Sequence, residues 1–358
     1  LWYGALLSNP VTLAANIVDN ALRTLWAIPV RFLAIGMGDV RFQESMELLY
    51  GFKEGWQEAW QYTANAFQTG QSQFGAAGKV PTPRIPAVTA QSAAFQLGVA
   101  EDSLLAHGIG LLGTYSRGMG RFLLATDELF RVVNYRMELH SQSMRQALQE
   151  GHTGTALANR VTGLMQTPDP ALVGKASRFA QYQTLAQPLA QEGRAFESLG
   201  KIASKVVEAS NEVPWLKIFV PFVNTPFNIV SQAAEHSPLG LLSSNVRRAV
   251  VAGGEEGAIA RAKMTLGSMT MGLFALLAAE GHVTGGKPND PKMAATWERL
   301  GIEPYSIKVG GTYYSCRRLD AVCMPLGLAA DFVQMAKEWD TATLEKIAGA
   351  SLGAIWNN

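Results

Sequence analysis

The alternation of apolar and polar residues predicts helices along most of the chain. Asn9-Pro10 opens the first, with Leu13, Ile17, Ala21 and Leu25 recurring every four residues on one face. Pro29 is placed to kink or interrupt it. A second runs through Met46, Leu49, Phe52 and Trp56 to Trp60, its charged residues Glu44, Glu47, Lys53, Glu54 and Glu58 falling between the apolar ones. Thr126 can cap a third, with Asp127 and Glu128 in the first turn, where they favour the positive end of the dipole. Leu129, Val133, Met137, Met144 and Leu148 then line one face, and Gly151 is placed to end it. Asp169-Pro170 starts another, ending or kinking near Pro188, and further helices cover Arg194 to Glu208, Asn228 to Glu235 and Leu326 to Trp339. One β signal interrupts this pattern. Ser306 to Val309 alternates polar and apolar, Gly310-Gly311 tolerates positive φ, and Thr312 to Ser315 follows, which predicts a two-residue hairpin. The expected fold is mainly α, an elongated multi-helix segment with one small β-hairpin near the C-terminus.

Prolines and apolar runs divide the pattern. Pro81, Pro83 and Pro86 follow a Gly/Gln/Ser-rich stretch and read as an extended linker. Between Pro214 and Pro226 three prolines forbid a long regular element, while the apolar density forbids a solvated loop. A buried, irregular crossing is expected there, with Trp215, Phe219, Pro221, Phe222, Pro226 and Phe227 as candidate packing or assembly contacts. Lys263 and Glu280 bracket an uncharged run, Met264 to Ala279. As a helix it spans about 24 Å, short of the roughly 30 Å of a bilayer's hydrocarbon, so a buried core or oligomer-interface helix is preferred over a spanning one. Ser268 and Gly272 form a small-xxx-small pair, and with Leu273, Phe274, Leu276 and Leu277 they make this the candidate membrane or interface helix. The division expected is 1–78 an apolar helical segment, 79–98 a Pro-rich linker, 99–240 a central helical subdomain, 241–284 an apolar helical segment, and 285–358 a hairpin-plus-helix subdomain.

Composition sharpens this. Charged residues make up 16% of the chain against about 25% in a typical soluble domain, with 48% hydrophobic. So few charges cover the surface of a solitary chain poorly, and much of the apolar excess should face other chains or lipid. The net charge of +1 argues against a strongly basic reader of nucleic acid. Cys316 and Cys323 form no disulfide framework or metal spacing and read as free thiols. No signal peptide is recognisable, and the abrupt apolar start at Leu1 and the end at Asn358 suggest an excerpt of a longer polypeptide.

No catalytic constellation emerges. Gly108-Ile109-Gly110-Leu111-Leu112-Gly113 matches the dinucleotide fingerprint as a string but lacks the strand that must precede it. Five scattered histidines show no ligand spacing, Ser198-Leu199-Gly200-Lys201 has no companion motif, and Gly174-Lys175 lacks the rest of a phosphate loop. Glu44-Ser45 and Gly163-Leu164-Met165-Gln166 match fragments of lytic transglycosylases, where a glutamate protonates the glycosidic oxygen. In that family the two pieces lie close along the chain; here they are far apart. No catalytic residue, cofactor or metal ligand is therefore expected, and any enzymatic domain of the parent polypeptide would lie outside this segment. Membrane association, or membership of a peptidoglycan-cleaving transglycosylase, stand as alternatives.

Three stretches resemble a recurrent region of very large internal virion proteins of tailed, chiefly short-tailed, bacteriophages. They are Arg121 to Phe130 with Tyr135-Arg136; Phe219-Val220-Pro221-Phe222-Val223-Asn224-Thr225-Pro226-Phe227-Asn228 with Ser237-Pro238-Leu239; and Gly301 to Asp320, containing Pro304-Tyr305-Ser306-Ile307 and Arg318-Leu319-Asp320. The resemblance covers about Arg121 to Trp339. It implies a protein stored in the capsid near the portal and ejected into the host, then assembling with its own copies and other ejection proteins. The result would be a core or trans-envelope conduit through periplasm and inner membrane, with phage DNA passing non-specifically.

Overall fold

The computed structural model describes residues 10–72, 100, 104–189, 191–194, 196–212, 224–288, 291–317 and 319–338. It is mainly helical, with one two-stranded antiparallel hairpin near the C-terminus. The helices are α1 (Pro10–Ile35), α2 (Phe42–Thr69), α3 (Leu104–Gln149), α4 (Gly154–Gln166), α5 (Pro170–Gln183), α6 (Glu197–Glu212), α7 (Asn224–Glu235), α8 (Ser244–Ala252), α9 (Gly254–Ala279), α10 (Pro291–Arg299) and α11 (Asp320–Glu338). The chain divides into two compact units, Leu1–Lys263 and Met264–Asn358, with the boundary inside α9.

In the first unit α1, α2 and α3 share one core, where Leu48 and Ala59 meet Phe130, Val132, Val133 and Met137. The helices on either side of the proline-rich stretch 79–98 therefore build a single core. That stretch itself lies outside the described residues. Close approach of α2 to α3 depends on glycine. A Cβ on Gly51 would sit 2.6 Å from the Arg136 carbonyl oxygen, and one on Gly55 would sit 2.9 Å from the Val133 Cα. A second cluster joins the end of α3 to α4 and α5 through Leu139, Met144, Ala147, Val161, Leu164, Leu172 and Ala176.

Several helix ends follow their sequence signals. Asp169 caps α5, its Oδ1 accepting from the Leu172 amide at 2.9 Å, with Pro170 at the first helical position. Gly151 takes φ +83 just past α3, and the His152 amide reaches back to the Ala147 carbonyl at 3.1 Å, closing the helix in a Schellman-type turn. Other expectations need correcting. Helix α3 begins at Leu104, not Thr126, and the hydroxyl of Thr126 donates to the Phe122 carbonyl at 2.9 Å in mid-helix. Asp127 consequently has no helix N-terminus beside it. Helix α1 runs unbroken through Pro29: one lost hydrogen bond and a ring clash cost about 3 kcal/mol, which packing of Ala27, Val30 and Ala34 on the same helix can offset. Helix α7 begins at Asn224, so the expected irregular crossing is already helical at Pro226, while residues 213–223 lie outside the description. Helix α11 starts at Asp320 and carries Pro325 inside it.

In the second unit Cys316, Cys323, Leu326 and Ala330 pack against Ala278 and Val283. The hairpin pairs Ser306–Val309 with Thr312–Ser315 in the expected register, Val309 opposite Thr312. Gly310 at φ +57 and Gly311 at φ +90 supply the two left-handed residues of a tight type I′ turn. Both cysteines are buried, and neither is in a disulfide.

Candidate functional site

The arrangement of side chains on α1 and α2 is inverted relative to an ordinary surface helix. Their inward faces are rich in small, polar or ionisable residues: Asn20, Thr24, Ala27, Arg31 and Ala34 beside Leu13 and Val30 on α1, and Glu44, Ser45, Gly51, Gly55 and Ala59 beside Leu48 on α2. Their outward faces carry large apolar ones. Val11, Val18 and Leu25 recur every seven residues along one exposed side of α1. Phe42, Met46, Trp60 and Phe67 fall on one exposed side of α2, where Trp60 is 61% accessible. The face expected to pack inward therefore points partly outward: Ile17, Leu25, Met46 and Trp60 are exposed, whereas Phe52 and Trp56 do pack on the core.

The polar interior is an ion network. The Arg31 guanidinium, 2% exposed, bonds Glu138 with one nitrogen and Glu255 with another, the latter at 2.7 Å. Arg145 reaches Glu44 at 2.9 Å, Asp39 at 2.7 Å and Glu255 at 3.3 Å. Gln142 bridges Glu138 at 2.7 Å, and also meets Glu255. Four segments meet here: α1, the start of α2, α3, and the first turn of α9. Burial opposes ionisation of Arg31, but the fields of Glu138 and Glu255 outweigh it and hold the guanidinium charged. Burial raises Glu138 and Glu44 above the usual carboxylate range; at Glu255 burial acts the same way, but Arg31 and Arg145 outweigh it and its pKa falls. Beside this network His140 lies between Glu47 at 3.0 Å and Glu54 at 2.9 Å, edge-on to the Tyr50 ring.

A separate ionisable group is under strain. Asp127 accepts from Asn20 at 3.4 Å, and burial, set against the Arg131 charge, pushes its pKa up to about 6. A raised folded pKa means that the folded state binds the proton more tightly. This group's destabilisation is absent below its unfolded pKa near 4 and complete above about 6. Asp127→Asn is therefore expected to raise stability by about 1–2 kcal/mol at pH 7.5, partial solvent access being allowed for, and by much less at pH 4.5. Urea unfolding at both pH values checks this; equal gains at both would refute the burial account.

The apolar candidate helix is only partly covered. Met264 to Ala279 continues α9, and only 11% of its most apolar window is buried. Phe274 and Leu277 pack on the core of the second unit, and Ser268 is half-buried. Gly272, Leu273 and Leu276 are exposed, Leu276 by 66%. The preferred core-helix reading therefore holds for one side of this helix only. A Cβ on Gly272 would meet nothing within 4 Å, so the small-xxx-small pair lies on open surface. On α11 a further exposed apolar side is formed by Leu328, Phe332 and Met335.

Of the aromatic and proline candidates, Pro226 is exposed at the start of α7 and Phe227 is half-buried, with Arg194 5.4 Å above its ring and Gly200 against its edge. Trp215, Phe219, Pro221 and Phe222 lie outside the described residues. Glu44 is 1% exposed and clamped by Arg145, so it presents no open face to a polysaccharide. Gly108 to Gly113 sits inside α3, past its first turn, not in the turn ahead of a helix that the dinucleotide fingerprint requires. Lys201 pairs with Glu197 at 2.5 Å. Among the described residues no group of three or more His, Cys, Asp or Glu could hold a metal. The buried ion network escaped the sequence reading; charged residues at helical spacing beside Gly51 and Gly55 were the available signal. No family model, no curated protein and no solved structure matches this chain.

Proposed function

We propose that the chain is a structural, assembly-forming segment, without catalysis of its own, that packs against further copies through the outward apolar faces of α1 and α2. The observation that carries this is the inversion on those two helices: ionisable groups inside, Val11, Val18, Leu25, Phe42, Met46, Trp60 and Phe67 outside. A lone chain in water gains little from that distribution, because each half-exposed large side chain forgoes roughly half of the about 1.5–3 kcal/mol that full burial supplies. Contact with other copies recovers it. The likeness of three stretches to phage internal virion proteins supports a particular setting: a core near the portal in the virion. After ejection the same segment would form part of a conduit for the genome through host periplasm and inner membrane. Other ejection proteins and the portal would be its partners, and DNA would pass without sequence-specific grip, as the net charge of +1 suits.

Sedimentation in detergent-free buffer tests this. Wild type is expected as a multi-copy particle, ring- or tube-shaped by electron microscopy. Val18→Glu with Trp60→Glu is expected to yield monomers that keep their helical circular-dichroism spectrum, because both side chains are exposed in the isolated chain. A wild-type monomer would end the proposal.

Exposed Leu273 and Leu276 on the uncharged half of α9 favour a second reading, contact with lipid. Flotation with liposomes separates the two: assembly without flotation leaves the first reading alone.

A further inference from the structure

One face of α7 gathers two buried guanidinium groups and a half-buried ammonium around it. Asn228, Ser231, Gln232 and Glu235 lie on this face, and each of the first three is at most 5% exposed. Asn228 accepts from Nη1 of Arg194 at 2.8 Å and donates to the carbonyls of Leu185 and Gln187 at 2.7 and 3.1 Å. One turn on, Gln232 accepts from Nη1 of Arg23 at 2.7 Å and donates to the Tyr182 carbonyl. Glu235 accepts the Tyr182 hydroxyl at 2.8 Å, and the Lys263 ammonium stands 3.7 Å from the centre of the Tyr182 ring. Asn228 and Gln232 are four residues apart, so the two guanidinium groups they anchor are separated by on the order of 6 Å along the axis.

Neither charge nor hydrogen bonding closes in this cluster. Arg194 is 4% exposed, yet among the described residues its Nε and Nη2 find no acceptor; Nη2 of Arg23 and the Ser231 hydroxyl are likewise buried without partners there. Arg23 is neutralised by Asp19 at 2.8 Å, but among the described residues neither Arg194 nor Lys263 has a carboxylate within ion-pair distance. Glu235 acts on both from beyond that distance, and the half-buried Lys263 also feels Glu138. His236 adds no positive charge at neutral pH, since burial and the nearby Lys263 hold its pKa down to about 3. The buried Arg194 guanidinium is thus left without an ion-pair partner among the described residues. Water would satisfy the idle N–H groups but not the charge, whereas an oxyanion satisfies both, and guanidinium forks suit it by geometry.

We propose that this face of α7 binds one small oxyanion, a phosphate or a carboxylate, through Nε and Nη2 of Arg194 and Nη2 of Arg23, with Ser231 at its edge. The site does not depend on the assembly reading, because all its residues belong to one unit of one chain. The test is calorimetric titration of the full chain, in whatever oligomeric state it adopts, with inorganic phosphate and separately with acetate at constant ionic strength. Saturable one-to-one binding of at least one anion is expected. Arg194→Gln and Arg23→Gln should each weaken it by at least about tenfold, the scale of one charge-assisted hydrogen bond. Lys205→Gln, which removes an exposed cation elsewhere, should leave it unchanged. Tighter phosphate than acetate binding would point to a phosphate source, the reverse to a carboxylate. Absence of saturable binding to the wild type overturns the proposal, and so does equal binding by wild type and Arg23→Gln. The wild-type titration decides the matter even if Arg194→Gln fails to fold.

Discussion

Arg31→Met is expected to destabilise the chain by about 3–5 kcal/mol, the usual cost of removing one partner from a buried ion pair. The guanidinium is 2% exposed and stands between Glu138 and Glu255, so its loss leaves two carboxylates facing each other without their shared counter-ion. Arg145 and Lys175 still approach Glu255, at 3.3 and 3.7 Å, but Glu138 keeps only the amide of Gln142. Acid should partly rescue the variant, because protonating Glu138 removes the repulsion, and burial already places its pKa above the usual carboxylate range. Urea unfolding at pH 7.5 and pH 5 reads both effects. A loss below about 1 kcal/mol would show that the network is solvated and weak. Replacing Arg31, Glu138 and Glu255 together by Met, Leu and Leu should recover much of the loss, since a buried ion cluster and a well-packed apolar one are often of similar stability.

Gly51→Val is expected to cost about 3 kcal/mol, near the top of the range for overpacking. The added Cβ would lie 2.6 Å from the Arg136 carbonyl oxygen and 2.9 Å from the Met137 Cα, and backbone atoms cannot turn aside as a side chain can. Helices α2 and α3 must then separate, loosening the contacts of Leu48 and Ala59 with Phe130 and Val133. Separation would also strain the salt bridge between Glu58 and Arg136, the latter bonding Glu58 Oε1 at 2.8 Å. Gly163→Val on α4, where a Cβ meets nothing within 4 Å, is the control and should be neutral or slightly stabilising, since valine is the better helix former of the two by about 0.3 kcal/mol. Equal losses at both positions would show that interhelical distance does not set the effect.

Local signals carried much of the secondary structure. The Asp169-Pro170 start, the Gly151 stop and the Gly310-Gly311 hairpin depend on backbone geometry within a few residues, and the structure has all three. The start of α3 was hidden because Gly108, Gly110, Gly113, Gly118 and Gly120 weaken the helical signal, while Thr126-Asp127-Glu128 imitates a helix start.

From the residues alone follow the mainly helical class, the hairpin, the shortage of charge and the apolar stretch Met264 to Ala279. Which side of each helix is inside was decided only in three dimensions. Periodicity shows that Ile17 and Leu25 share a side with each other, but burial depends on what lies opposite. The glycines at 51 and 55 admit α3 backbone to the other side of α2. The partnership of Arg31 with Glu138 and Glu255 likewise joins residues 107 and 224 positions apart, a separation that no local pattern encodes. Side-chain spacing is a property of one helix, whereas burial is a property of the pair.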